Sequence, residues 1–212
     1  MKKDLTEIVF ILDESGSMAD LTGDTIGGFN SLISKQREEP GEALVSAVMF
    51  SDNSKVIYDR VPLDRVRKMT GKDYRPGGCT ALLDAVGSAV KHIANVHKYA
   101  REEDVPEHTM FIITTDGMEN ASRTYTSAKV KEMISGMQEK GWEFIFMAAN
   151  IDAVETASSI GILPANAVDY RADAVGTEAV FEALDMAVTG VRKNCRSAAW
   201  RRKVDADMAQ RR

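Results

Sequence analysis

Short apolar runs that alternate with segments of helical period constrain this chain more than any other feature. Residues 7–12, 43–50, 109–115 and 142–149 are runs of mostly aliphatic and aromatic side chains. A strand with one wet face alternates apolar and polar residues, whereas the central runs here are apolar on both faces and need cover on both. Residues 55–58 and 167–170 are weaker extended segments. Between the strands, Ile26, Phe29, Leu32 and Ile33 recur at helical spacing within 21–37. Leu82, Val86, Ala89, Val90, Ile93 and Val96 share one face of a long helix after Thr80. Residues 127–140 and 152–160 also read as helices, and Val180, Phe181, Leu184, Val188 and Val191 mark a last one over 177–193. The pattern predicts an α/β fold, an open sheet of Rossmann-like type covered by helices on both faces. Five strands are expected to be parallel. The one at 55–59 is expected to be antiparallel and at an edge, because Ser51-Asp52-Asn53-Ser54 is too short for a crossover. Segments 61–79 and 100–108 read as irregular.

At 212 residues, one domain over 1–193 with a basic tail over 194–212 is expected. The net charge is −5, yet residues 192–212 hold eight Lys/Arg and two Asp, which leaves −11 on the rest. So acidic a body argues against nucleic-acid binding by the domain. The longest apolar run, 144–149, is six residues, against the ~20 that a membrane helix needs. The first apolar run, 8–12, is too short for a signal-peptide core and ends at Asp13. Cys79 and Cys195 lie far apart and share no motif with a histidine, so both read as free thiols in a cytoplasmic setting. A monomer is the expected state.

Ligands of open α/β sheets bind outside the carboxyl ends of the strands. The first strand here ends in Asp13-Glu14-Ser15-Gly16-Ser17, and the strand at 109–115 ends in Thr115-Asp116-Gly117. The long helix is entered through Gly77-Gly78-Cys79-Thr80. Three hydroxyls (Ser15, Ser17, Thr80) and two carboxylates (Asp13, Asp116) can converge there. All are hard oxygen donors, which suit Mg²⁺, with Mn²⁺ or Ca²⁺ as substitutes, better than zinc or copper.

These three pieces, together with Ala81-Leu82-Leu83-Asp84 and Met118-Glu119-Asn120, resemble the von Willebrand factor type A family and its metal-ion-dependent adhesion site. The resemblance covers roughly residues 5–193 and every metal-site position. It is closest to small stand-alone bacterial members, tellurite-resistance-type proteins among them, rather than to integrin domains. It implies strand order 3-2-1-4-5-6. It also implies direct metal ligation by Ser15, Ser17 and Thr80, with Asp13 and Asp116 acting through waters. In the family's alternative state the equivalent of Asp116 binds directly and the threonine lets go. A neutral hydroxyl shell leaves a dication under-compensated, so its open position favours an anionic oxygen from a protein partner's Asp or Glu. The implied function is a non-enzymatic, metal-dependent protein-interaction module.

An alternative is a metal-dependent phosphohydrolase with Asp13 as nucleophile. Phosphatases of that kind want a second Asp two positions on, where this chain has Ser15. Dinucleotide binding lacks a Gly-x-Gly-x-x-Gly after the first strand, and neither serine lies in a Gly-x-Ser-x-Gly turn. Strand and helix directions put loops 14–20, 51–54, 71–80, 117–125 and 150–153 on the metal face, and 100–108 on the opposite one. Met18, Tyr74, Arg75, Met118, Arg123 and Tyr125 form the expected partner-binding rim, since aromatic and Arg anchors dominate interface affinity. Plainer expectations cover the remaining residues. Asp84 favours the dipole of its helix, with support of the metal site from behind as the alternative; Thr80 can cap that helix, Cys79 is a small buried residue, and His92, His97 and His108 are surface or structural. The tail is expected to extend the last helix into solvent; the alternative is that it docks on an acidic partner or on this protein's own acidic body, with Trp200 as one potential anchor.

Overall fold

The computed structural model describes residues 1–195 and 197–211. Its centre is a six-stranded sheet of order β3-β2-β1-β4-β5-β6. The strands are β1 (Lys2–Asp13), β2 (Glu42–Phe50), β3 (Ser54–Pro62), β4 (Pro106–Thr115), β5 (Glu143–Ala148) and β6 (Ala167–Asp169). The helices are α1 (Thr22–Gln36), α2 (Leu82–Tyr99), α3 (Ser127–Gln138), α4 (Ala153–Ser159), α5 (Ala174–Arg192) and α6 (Arg202–Gln210). Among the described residues only the β2–β3 pair is antiparallel; β1 pairs in parallel with both β2 and β4, as β5 does with β4 and β6.

The period of two along β1 divides the core in half. Ile8, Phe10 and Leu12 pack with Phe29 and Leu32 of α1 and Leu184 and Val188 of α5. Val9 and Ile11 pack on the other face with Val86 and Val90 of α2 and Val130 and Ile134 of α3. Helices α1 and α5 approach closely because Gly28 has no side chain. A Cβ there would lie 2.1 Å from the Phe181 ring.

Strand β1 begins at Lys2, five residues before the start of its apolar run. Its first residues are exposed, and a bulge between Lys2 and Thr6, with Asp4 at φ 59°, lets them keep pairing beyond the covered part of the sheet. Strand β4 likewise starts at Pro106, inside the segment expected to be irregular.

The largest departure is the tail. Helix α5 stops at Arg192, whose guanidinium donates to the carbonyls of Gln36 and Gly41 just beyond α1. The chain then folds back: a 3₁₀ turn (Ala198–Arg201) and α6 lie against α5 and β6. Trp200 and Val204 are buried in the core. Lys203 pairs with Glu182, and Arg211 pairs with Asp173 at 2.6 Å. The segment is thus not a solvated extension. Its apolar anchors recur at i and i+4 among cations, and those cations meet acids of the body.

His97 and His92 are structural. His97 Nε2 lies 2.5 Å from Glu7, which is fully buried and also takes the Arg60 guanidinium at 2.6 Å. His92 meets Asp59. No helix among the described residues is long and apolar enough to cross a membrane.

Candidate metal site

The carboxyl ends of β1 and β4, adjacent in the sheet, bring Asp13 and Asp116 together. Asp13 is fully buried. Its Oδ1 accepts the Ser15 N–H at 2.7 Å and its Oδ2 accepts the Thr115 hydroxyl at 2.5 Å. The turn that follows points two hydroxyls the same way, with Ser15 Oγ 3.1 Å from Ser17 Oγ. The Ser17 hydroxyl donates to Asp116 Oδ1 at 2.6 Å, which ties the two strand ends together. Thr80 arrives from the loop before α2: a Cβ on Gly117 would lie 3.6 Å from Thr80 Oγ1 and 3.8 Å from Ser17 Oγ. These bonds join Asp13, Ser15, Ser17 and Asp116, and the Thr80 hydroxyl lies across Gly117 from Ser17.

Backbone bonds fix the loops that carry them. Gly16 N–H donates to Gly78 O at 3.1 Å, Gly77 N–H to Glu14 O at 2.8 Å, and Ala81 N–H to Ser51 O at 2.8 Å. Gly78 has φ +81°, and a Cβ there would fall 2.0 Å from an Asp52 carboxylate oxygen, so glycine is required at this crossing. Beneath the site the Tyr74 hydroxyl donates to the Asp13 carbonyl at 2.5 Å.

Burial pushes the Asp13 carboxyl up from 3.8, against the hydrogen bonds from Thr115 and Ser15 that favour its charged form. Burial likewise raises Asp116, opposed by the Ser17 hydroxyl. Burial also drives the Tyr74 and Tyr170 phenols well above their usual range. Two carboxylates held close in a desolvated pocket call for a cation.

The donor chemistry fits a hard dication. An octahedral ion with ligands at 2.0–2.1 Å sets neighbouring oxygens about 2.9 Å apart, close to the 3.1 Å between the serine hydroxyls. Among the described residues no group of three or more His, Cys, Asp or Glu side chains is placed to hold a metal. Any ion bound here would depend on the Ser and Thr hydroxyls.

The expected rim is only partly at the surface. Met118 is 72% exposed, and Arg75 and Arg123 are exposed. Met18 and Tyr74 are buried: Met18 packs into the core, and Tyr74 turns under Asp13. Tyr125 is half-buried, its ring over Gly87 of α2. Cys79, expected to be buried, is exposed, and the Asp52 carboxylate beside it raises its thiol pKa.

Sequence reasoning missed the hydrogen bonds that several residues around the site make, and missed Ser122 altogether. Thr80 does not cap α2. The N-cap is Ala81, and the first-turn amides are met instead by Glu119 and Ser122. Asn120 Oδ1 accepts the Thr80 N–H at 2.8 Å. Asp84 does more than favour the helix dipole, because it accepts the N–H groups of Arg123, Thr124 and Tyr125. The resemblance marked Asp84, Glu119 and Asn120, and short polar residues follow Gly117, but neither signal names their partners.

A family model for the von Willebrand factor type A domain matches residues 7–183. Comparison with curated proteins gives no match. Among solved structures, the chain is similar to a von Willebrand factor type A protein from Catenulispora acidiphila, with TM-score 0.58 and 15% identity over 87% of this chain and 42% of that one. It is similar to proximal thread matrix protein 1 from the mussel byssus with a zinc-occupied MIDAS motif, with TM-score 0.58 and 14% identity over 90% and 46%. The pilus adhesin SpaC from Lactobacillus rhamnosus GG, in its open conformation, gives TM-score 0.65 and 13% identity over 92% and 30%. The chain spans less than half the length of each of these structures. Identities this low establish a shared fold. Domains of the matched family are in general non-enzymatic, metal-dependent protein-interaction modules. Strand order, site position and a family model that covers most of the sequence agree: the chain belongs to the von Willebrand factor type A domain family.

Proposed function

We propose that this protein is a Mg²⁺-dependent interaction module that binds a carboxylate of a protein partner. Ser15, Ser17 and Thr80 supply hydroxyl ligands, and Asp13 and Asp116 hold the ion through waters. The neutral inner shell leaves the ion electrophilic, so an Asp or Glu side chain completes it from outside. The bound ion supplies the charge. This chain's residues position it, desolvate its inner side and leave its outer side accessible. The observation that carries the reading is the row of hard oxygens at the ends of β1 and β4, in which the Ser17 hydroxyl touches both the Ser15 hydroxyl and the Asp116 carboxylate.

Around those oxygens, exposed Met118 offers apolar area, and Arg75 and Arg123 offer cationic donors to further acids on the partner. The zinc-occupied site of the mussel byssus protein supports a metal at the equivalent place. We extend the reading to a cytoplasmic protein of the small bacterial, tellurite-resistance-like type, on the sequence resemblance and the two unpaired cysteines. The phosphohydrolase alternative is disfavoured by the burial of Asp13, both of whose carboxylate oxygens accept internal hydrogen bonds.

Calorimetric titration of metal-stripped protein tests the proposal. One Mg²⁺ per chain is expected, with Mn²⁺ bound at the same site and Zn²⁺ not preferred. The double substitution Asp13→Ala, Asp116→Ala is expected to abolish binding. A stoichiometry near zero, or uptake unaffected by the double substitution, overturns the reading.

A further inference from the structure

The loop after β4 and the start of α2 are joined by reciprocal hydrogen bonds that no simple capping motif explains. Glu119 Oε2 accepts the Leu83 N–H at 2.9 Å, and Ser122 Oγ accepts the Asp84 N–H at 3.0 Å. Glu119 also organises its own loop. Its Oε1 takes the N–H groups of Ala121 and Ser122, and its Oε2 takes the Ser122 hydroxyl. In the other direction Asp84 Oδ1 accepts the Thr124 and Tyr125 N–H groups, and Oδ2 accepts that of Arg123. Thr80 and Asn120 close the lattice, Thr80 N–H to Asn120 Oδ1 at 2.8 Å and Asn120 N–H to Thr80 O at 3.0 Å. The Tyr125 ring sits over Gly87, where a Cβ would come within 2.5 Å, so the loop is also clamped by packing.

This lattice runs between the two residues whose relative position matters most. Asp116 lies three residues before Glu119, and Thr80 lies four before Asp84. The Leu83 amide that a capping Thr80 would take already has Glu119 as its acceptor, which leaves the Thr80 hydroxyl to the site. Any movement of Thr80 away from Asp116 would break carboxylate-to-amide bonds at both ends of the lattice at once. Such bonds to ionised acceptors are about twice as strong as neutral ones.

We infer that Asp84 and Glu119 are positioning residues that hold Thr80 against the loop after Asp116, so that the site keeps its threonine ligand and does not pass to the arrangement in which Asp116 binds directly and the threonine lets go. The inference rests on the metal reading above and adds to it a single-state mechanism. A locked site has its affinity set in advance, because no conformational step stands between metal uptake and partner binding. Asp84 touches neither metal nor partner and acts only through the loop it holds.

Amide hydrogen exchange and Mg²⁺ calorimetry on the full chain test this. In the wild type, the amides of Leu83, Asp84, Thr124 and Tyr125 are expected to be equally protected without metal, with Mg²⁺, and with Mg²⁺ plus acetate. Asp84→Ala is expected to lose protection at 123–125 and to bind Mg²⁺ about tenfold or more weakly, the usual effect of losing support behind a ligand. Protection in β1 and β4 should remain. Asp84→Asn keeps an acceptor for Thr124 and Tyr125 and should recover most of the affinity, because Asp84 acts through the hydrogen bonds of the loop and not through its charge. Glu119→Gln, the milder change at the other end, should weaken Mg²⁺ in the same direction if Asp84→Ala fails to fold. Wild-type Mg²⁺ binding with unchanged affinity in Asp84→Ala, or with Glu119→Gln as the foldable variant, overturns the inference alone. So does Mg²⁺- or acetate-induced deprotection at 80–84 or 119–125. A wild type that takes up no Mg²⁺ overturns the metal reading and this inference with it.

Discussion

Asp13 sets the terms of the site, since it is fully buried yet must be ionised to help hold a cation. Burial raises both Asp13 and Asp116 above 3.8. In the metal-free fold the charged forms are therefore disfavoured relative to the unfolded chain. Their contribution to stability is unfavourable at neutral pH. It is relieved as pH falls through the raised folded-state values, and it vanishes below 3.8, where the unfolded groups are protonated too. Metal competes with those protons. Mg²⁺ affinity is thus expected to fall on acidification, with the fall beginning above the 3.8 of an ordinary aspartate. Calorimetry over a pH series checks this, and an affinity that holds constant down to that value would contradict it. At this scale the spacing Asp13, Ser15, Ser17 was legible, because side chains in a strand-end turn can share one target only at short fixed intervals. Tyr74 was not. It lies between Lys72 and Arg75 in a segment without period, and nothing local says that its ring turns inward to reach Asp13.

Among the elements, the strands at the centre of the sheet were legible because burial on both faces demands unbroken apolar runs, as in Phe144 to Ala149. The short hairpin after Phe50 fixed β3 as antiparallel in the same way. Helix α6 was hidden by its composition. The core contacts of the tail, Trp200 in the turn before α6 and Val204 within it, lie among Arg201, Arg202 and Lys203, and a charged segment with so few apolar residues reads as solvated. Trp200→Ala tests whether α6 is part of the fold. Removal of a buried indole costs about 3–5 kcal/mol, and the denaturant midpoint should drop accordingly. An unchanged midpoint would mean that the tail contributes no stability. The loop from Glu119 to Tyr125 lies between these cases. Its polar character was visible, but its partners on α2 are some 40 residues away in sequence, beyond the reach of any local pattern.

Over the whole molecule, the strand ends and the basic tail have different tasks. The carboxyl ends of β1 and β4 gather the oxygens that can hold a cation. The basic tail meets acids of the body, with Lys193 on Glu39, Lys203 on Glu182 and Arg211 on Asp173. The long-range charge asymmetry is thereby partly neutralised within the chain, and the metal face remains the surface whose chemistry asks for a partner. The central claim is that hydroxyls, supported by two buried carboxylates, hold one hard dication there. Crystals grown with Mn²⁺ and measured for anomalous scattering address it most directly. The account predicts one strong peak per chain, with Ser15 Oγ, Ser17 Oγ and Thr80 Oγ1 each about 2.0–2.3 Å away and Asp13 and Asp116 one water further out. No peak at that position, or a peak held by other residues of the chain, would contradict it.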